Sequence, residues 1–477
     1  MIDTPVLERV LGEALRHGGE FAEVFAEDKS TSSARLDDGR VEELSSGRER
    51  GAGIRVVSGE TTGFAHTADL SEAGLLKAAE AASAVARRGG GRTGTVAVGP
   101  LRTGGSSGGT DGADDGPAPL PSAGKGASKG ASKGDSLDLL RRANEAARGS
   151  NAAITQVQAA SGGSRRRVLI ANSEGLYARD EQARTRFVVS CVASGDTGLQ
   201  TGAESVARTL GFELFDEVSV EELAHLAANR ALSKLSARPA PSGELPVVLA
   251  GGSGGILFHE ACGHGLEADH IVKDASVYTG MVGRQVASPL VTLVDDGTVG
   301  TEWGTYRVDD EGRPAQRNVL IENGILTDYL WDYLRARKEG RLSSGNGRRQ
   351  TYQHLPMVRM TNTFLLPGTE DADEIVAQTP KGVYVAKLGG GQVNTTTGDF
   401  VFGTTEAYLI EGGKITEPLR DANLIGNGPE VLKRIDAVGT DFAMTPGTCG
   451  KDGQSVPVGC GQATMRLTGV TIGGTAE

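Results

Sequence analysis

No stretch of about 18 apolar residues occurs in the chain, which excludes an ordinary membrane-spanning helix. The segment Met1-Ile2-Asp3-Thr4 lacks a basic run followed by an apolar core, so no signal peptide is expected. Cysteine is sparse. The four residues at 191, 262, 449 and 460 fit neither a zinc knuckle nor a paired disulfide framework. Positive charge is not in excess: 49 Lys and Arg face 61 Asp and Glu, giving a net charge of −12. That average field repels polyanions, so a nucleic-acid partner is disfavoured, and no membrane partner is expected. The one compact basic run, Arg165-Arg166-Arg167, is expected to be a solvated loop. These absences together predict a cytoplasmic protein whose thiols are reduced and free to bind metal.

What is present is glycine, 70 residues of 477, against 4% aromatics and 38% hydrophobics. Such length predicts about three domains and a sizeable core. Short apolar runs punctuated by glycine predict β-rich structure with many turns. The expected fold class is α+β: N-terminal α/β domains, then a large β-rich C-terminal domain carrying a metal-binding helix. Expected boundaries are 1–99, a Gly/Ser-rich disordered insertion at 100–135, a middle α/β domain at 136–240, and the β-rich domain at 241–477. The insertion is Gly, Ser, Ala, Pro, Lys and Asp, with too little apolar surface to offset ordering entropy.

Periodicity predicts helices over 6–15, 70–87, 136–148 and 220–235. Strands are expected at 21–25, 53–57, 168–172 and 186–193, the last two as a hairpin. Residues 239–246, with three prolines, read as a loop. Val247-Val248-Leu249-Ala250 reads as a buried strand, followed by a glycine turn and a short helix over Ile256–His264. Later strands include 291–294, 382–385 and 407–410. The glycines at 389–391 read as a turn, although close backbone approach is the other reading.

The sharpest feature is His259-Glu260-Ala261-Cys262-Gly263-His264. Two imidazoles with a carboxylate beside the first form the zincin theme: the histidines hold Zn²⁺ and the glutamate takes a proton from metal-bound water. The spacing is unusual. Five residues turn an α-helix by about 500°, putting the second imidazole roughly 140° away from the first. A π-type turn or an early end to the helix would bring both to one ion, and Gly263 and Gly265 make either deformation cheap. On these residues alone the other reading is a chance cluster in a glycine-rich helix. Gly252-Ser253-Gly254-Gly255 does not fit a serine-hydrolase elbow, and Gly389-Gly390-Gly391 is no phosphate loop.

Longer blocks go further. Residues 258–269, with that motif, and 444–459, Met-Thr-Pro-Gly-Thr-Cys-Gly-Lys-Asp-Gly-Gln-Ser-Val-Pro-Val-Gly, resemble the TldD/PmbA metallopeptidases. Residues 394–400 and 424–429 resemble the same family, and its three-part layout fits nearly the whole chain apart from the insertion. The resemblance is to the TldD-type, catalytic subunit. It implies Cys449 as third metal ligand beside His259 and His264, and Glu260 as general base. It also implies Zn²⁺ as the cofactor and hydrolysis of unfolded or flexible polypeptides. The implied assembly is a heterodimer with a metal-free paralogue, with a homodimer possible. A thiolate and two imidazoles would leave a fourth zinc position open for water. The alternative is a scaffold subunit with a structural zinc and little catalysis. Cys262 is expected to point away from the metal. Glu267 and Asp269 are expected behind the ligands or on the helix surface, and His270 on the surface. Cys191 and Cys460 are expected to pack as small apolar residues.

Overall fold

The computed structural model describes residues 2–86 and 133–474. The expected insertion at 100–135 therefore lies almost wholly outside the described residues. Its last residues, from Lys133, already belong to a helix.

Four helices cover one face of a six-stranded sheet. Helix α1 spans Thr4–Leu15, α2 Glu72–Val85, α3 Lys133–Ser150 and α4 Val220–Leu235. Two have side-chain caps of the expected kind: Ser71 accepts from Gly74 N and Ser219 from Glu222 N. The strands are β1 (Phe21–Asp37), β2 (Arg40–Ser58), β3 (Thr61–Thr67), β4 (Ile154–Asn172), β5 (Tyr177–Gly195) and β6 (Gly198–Arg208). Their order is β3-β2-β1-β4-β5-β6, so strands from either side of the insertion pair directly, β1 antiparallel to β4. Leu7 and Leu11 of α1 and Ala79 and Ala82 of α2 pack with Val24, Ala26 and Leu169 of the sheet.

The opposite face meets the C-terminal half. Phe25, Val168 and Ile170 pack there against Tyr352. Residues 21–27 of β1 are therefore buried on both faces, and the carboxylates among them need partners. Glu23 Oε2 accepts from Arg55 Nη2 at 2.7 Å, and that nitrogen also reaches Glu311 at 2.8 Å. Arg349 donates to the other oxygen of Glu23. Arg165-Arg166-Arg167 is not a loop but part of β4. Arg165 and Arg167 pair with Glu181, while Arg166 is partly buried between Glu27 and Asp310.

The C-terminal half contains two further large sheets. In one, the order is Ile325–Leu326, Arg317–Glu322, Leu293–Asp296, Asn362–Leu365, Gln454–Gln462, Ala443–Lys451. In the other, Lys381–Val393, Gly243–Leu249, Met465–Gly473, Asn423–Asn427 and Asp399–Glu411 pair in sequence. The last pairs back to the first, closing a ring. Residues 243–246, expected as loop, begin the Gly243–Leu249 strand. The glycines at 389–391 lie in a strand whose register slips between Leu388 and Gly391, so they form a bulge, not a turn. Helix α5 (Gly255–Ala261) follows the Gly243–Leu249 strand through the expected glycine turn. It is seated on the strands Asn362–Leu365 and Gln454–Gln462. An added Cβ at Gly255 would lie 2.4 Å from Gly461 N, so glycine permits this close approach.

Candidate metal centre

Of the two deformations open to the histidine motif, the protein adopts the early helix end. α5 stops at Ala261, Cys262 leaves helical geometry (φ −128°, ψ −56°), and a 3₁₀ turn over Gly263–Leu266 carries the second histidine. The rings of His259 and His264 then stand 5.0 Å apart at 82°. Gly263 serves packing more than conformation: a Cβ there would fall 2.0 Å from Met360 Sδ.

The third partner arrives from a hairpin formed by Ala443–Lys451 and Gln454–Gln462, in which Cys449 faces Val456. Buried Arg359 donates to Cys449 O and, at 3.3 Å, to Gln454 O, tying the two strands together. Cys449 Sγ lies 3.3 Å from His264 Nε2, and one donor atom each from His259, His264 and Cys449 falls within 4.8 Å of the others. All three are buried. Burial raises a thiol's pKa, but the two imidazoles outweigh it and bring Cys449 down to about 4. Burial works against the charged imidazoles in turn. Cys449 still lifts His259 well above its ordinary value, and Glu267 with Cys449 brings His264 up to about 9. Both nitrogens of His259 are buried with no hydrogen-bond partner. A buried imidazole with two bare nitrogens beside a thiolate is what a metal would satisfy, so the residues fit a zinc ion.

Glu260 is held at the edge of this cluster, its Oε2 3.8 Å from His264 Nε2 and its side chain 22% exposed. Glu267 sits behind, accepting from His264 Nδ1 at 3.0 Å, which directs Nε2 toward Cys449. Burial would raise this carboxyl, but Lys451 and His264 hold it well below the usual range. Lys451 Nζ binds both Glu267 Oε2 (2.8 Å) and Asp269 Oδ1 (2.7 Å). Glu267, Asp269 and His270 are close enough to hold a cation, but the ammonium of Lys451 already bridges the two carboxylates. Lys451 had no role in the sequence reading. The available signal was its position two residues after Cys449, on the same face of one strand.

Cys262 is outside the donor group. It is buried beside Tyr278, and burial pushes its thiol up to about 12. Cys460 packs with Val456 and Val458, as a small apolar residue would, and also neighbours His259. Cys191 lies in the core under α3 and α4.

Models of three metallopeptidase domains match the chain: PmbA/TldA metallopeptidase domain 1 over 22–86, the central domain over 128–235, and the C-terminal domain over 242–474. The protein is thus of the metallopeptidase class. A Haemophilus influenzae protein named Metalloprotease TldD homolog is 39% identical over 463 residues, 96% of this chain and 93% of that one. A Methanothermobacter thermautotrophicus protein named Metalloprotease is 36% identical over 474 residues, 99% and 100% of the two chains. The crystal structure of TldE from Thermococcus kodakarensis superposes with a TM-score of 0.77 at 20% identity, covering 98% of this chain and 99% of that one, a likeness of fold alone. The chain belongs to the PmbA/TldA metallopeptidase family, the one its sequence blocks resemble.

Proposed function

We propose that the chain is a zinc-dependent peptidase that hydrolyses peptide bonds in unfolded or flexible polypeptides. The observation that carries this reading is the pair of bare, buried nitrogens on His259, held against Cys449 and His264. His259, His264 and Cys449 would hold the ion, and a mixed imidazole and thiolate set suits zinc. Zinc bound there supplies Lewis-acid polarisation and lowers the pKa of a coordinated water to about 7. Glu260 is the general base: more exposed than the ligands and adjacent to Nε2 of His264, it accepts the proton of the attacking water. The same carboxyl then returns that proton to the departing amine nitrogen. Glu267 keeps the proton of His264 on Nδ1, leaving Nε2 free to donate its lone pair.

Weak sequence preference follows if the substrate is recognised by its backbone. The strand Ala443–Lys451 is the terminal strand of its sheet and carries Cys449, which supports pairing of an extended peptide beside the cluster. The assembly this reading implies is a heterodimer with a paralogue of the same fold lacking the metal set, or else a homodimer. The setting is the cytoplasm. Among the described residues no helix is long and apolar enough to cross a membrane. A scaffold with a structural zinc would need a fourth protein ligand. Among the described residues the donor group has three, and Cys460 falls outside it.

Glu260→Gln tests the reading. The variant is expected to keep its zinc, measured by elemental analysis, while hydrolysis of an unstructured protein falls about 10²–10⁴-fold. Equal zinc with equal activity would remove Glu260 from the chemistry.

A further inference from the structure

Between the open face of the six-stranded sheet and the C-terminal half lies a cavity of about 200 Å³. On the hairpin side it is lined by Thr448, Ser455, Val456 and Pro457, and none of His259, His264 and Cys449 is among its lining residues. Its walls carry five cationic side chains: Lys29, Arg166, Arg184, Arg348 and Arg349. The sheet register explains the crowding. Lys29 is opposite Arg166, and Ser164, two residues away on the same face, is opposite Arg184.

The acids in the wall do not balance them. Asp310 is taken by Arg166 Nη1 and by the backbone N–H of Arg349, both at 2.8 Å. The Asp309 carboxyl accepts backbone N–H groups from Glu311, Arg313 and Gly347, and its pKa is raised by burial and by Glu311. Arg184 and Arg348 are buried, and they donate mainly to carbonyl oxygens: Arg184 to Trp303 and Thr305, Arg348 to Met360 and Pro457. Among the described residues neither these two nor Lys29 makes an ion pair. Burial, then Arg348 and Arg166, bring Arg184 down to about 9. A guanidinium does not deprotonate in a protein, so that direction registers an uncompensated positive field.

We propose that this cavity binds an oxyanion, a phosphate or carboxylate group held by Arg184 and Arg348 with Lys29 beside them. Guanidinium forks match both groups in bidentate geometry, and a buried cation without a counter-ion is costly enough to favour one. The anion is either free or the end of a peptide chain. The proposal holds whether or not the chain cleaves peptides.

Thermal unfolding of the full chain at constant ionic strength tests it, chloride being replaced by inorganic phosphate, an N-acetylated tripeptide acid, or the tripeptide amide. A saturable rise in Tm with phosphate or the acid, absent with the amide, is expected. It should persist after chelator treatment, which removes any anion bound to metal at the cysteine cluster. In Lys29→Gln and Arg184→Gln the apparent affinity should fall tenfold or more. If Arg184→Gln does not fold, Lys29→Gln alone decides. Response to phosphate alone assigns a free oxyanion, and response to the acid assigns a peptide terminus. No saturable response in the wild type, an equal response to the amide, loss on chelation, or unchanged affinity in Lys29→Gln would each overturn the proposal.

Discussion

In the proposed reaction four side chains would set the chemistry, and two more, Glu267 and Lys451, are bonded behind them. His259, Glu260 and His264 are within one turn and a half of chain, so a motif could display them. Cys449 was reachable only through the resemblance of a long C-terminal block, since it lies 185 positions beyond His264. Glu267 was legible as a candidate behind the ligands. Lys451 was not, because a lysine in a strand carries no sign of the buried carboxylates it will meet from another segment. Cys449→Ala should lose metal more severely than the hundredfold seen when only a supporting residue is removed. Zinc per protein after gel filtration checks this, and a stoichiometric ion in the variant would exclude Cys449 as a ligand.

At the scale of elements, helices were the easier part. The apolar spacing over 220–235 coincides with α4, because caps and burial act on the same residues. β1 and β2 run far beyond the expected 21–25 and 53–57, since their outer portions are polar and pair through the backbone ladder and side-chain bonds such as Ser33 with Glu43 and Arg48 with Asp28. Alternation of apolar residues cannot reveal such a ladder. The break after Ala261 was legible as a requirement, from two histidines five residues apart, whereas the partner that enforces tight packing there, Met360, was not. Gly263→Ala should therefore destabilise the fold by roughly 1–3 kcal/mol through overpacking against Met360. Urea denaturation measures it, and an unchanged midpoint would mean that Met360 moves aside freely.

Over the whole molecule, the sheet that joins β1 to β4 is what sequence patterns hide. Pairing of β1 with β4 across two strands, two helices and the intervening segment leaves no local trace. The buried ions between the sheet and the C-terminal half give that arrangement a pH signature. Burial, with Asp332 and Glu23 adding, raises Glu311 from its ordinary 4.5 to about 7, against the pull of Arg55. The folded state thus prefers the protonated carboxyl. Its contribution is complete below pH 4.5 and lost as the pH rises through about 7. Relative to Glu311→Gln, the wild type should lose unfolding free energy between those pH values, as followed by urea titration at each. Parallel pH profiles for the two proteins would show that Glu311 stays ionised.

The offset of 185 positions from His264 to Cys449 also sets a schedule. At translation speeds of roughly 5–20 residues per second, the imidazoles emerge from the ribosome about 10–40 s before the thiol that joins them. The strand Met465–Gly473, wedged between Gly243–Leu249 and Asn423–Asn427, is made later still. On the proposed ligand set, a nascent chain would therefore lack its third donor until Cys449 has been made, and the barrel strand Met465–Gly473 until later still.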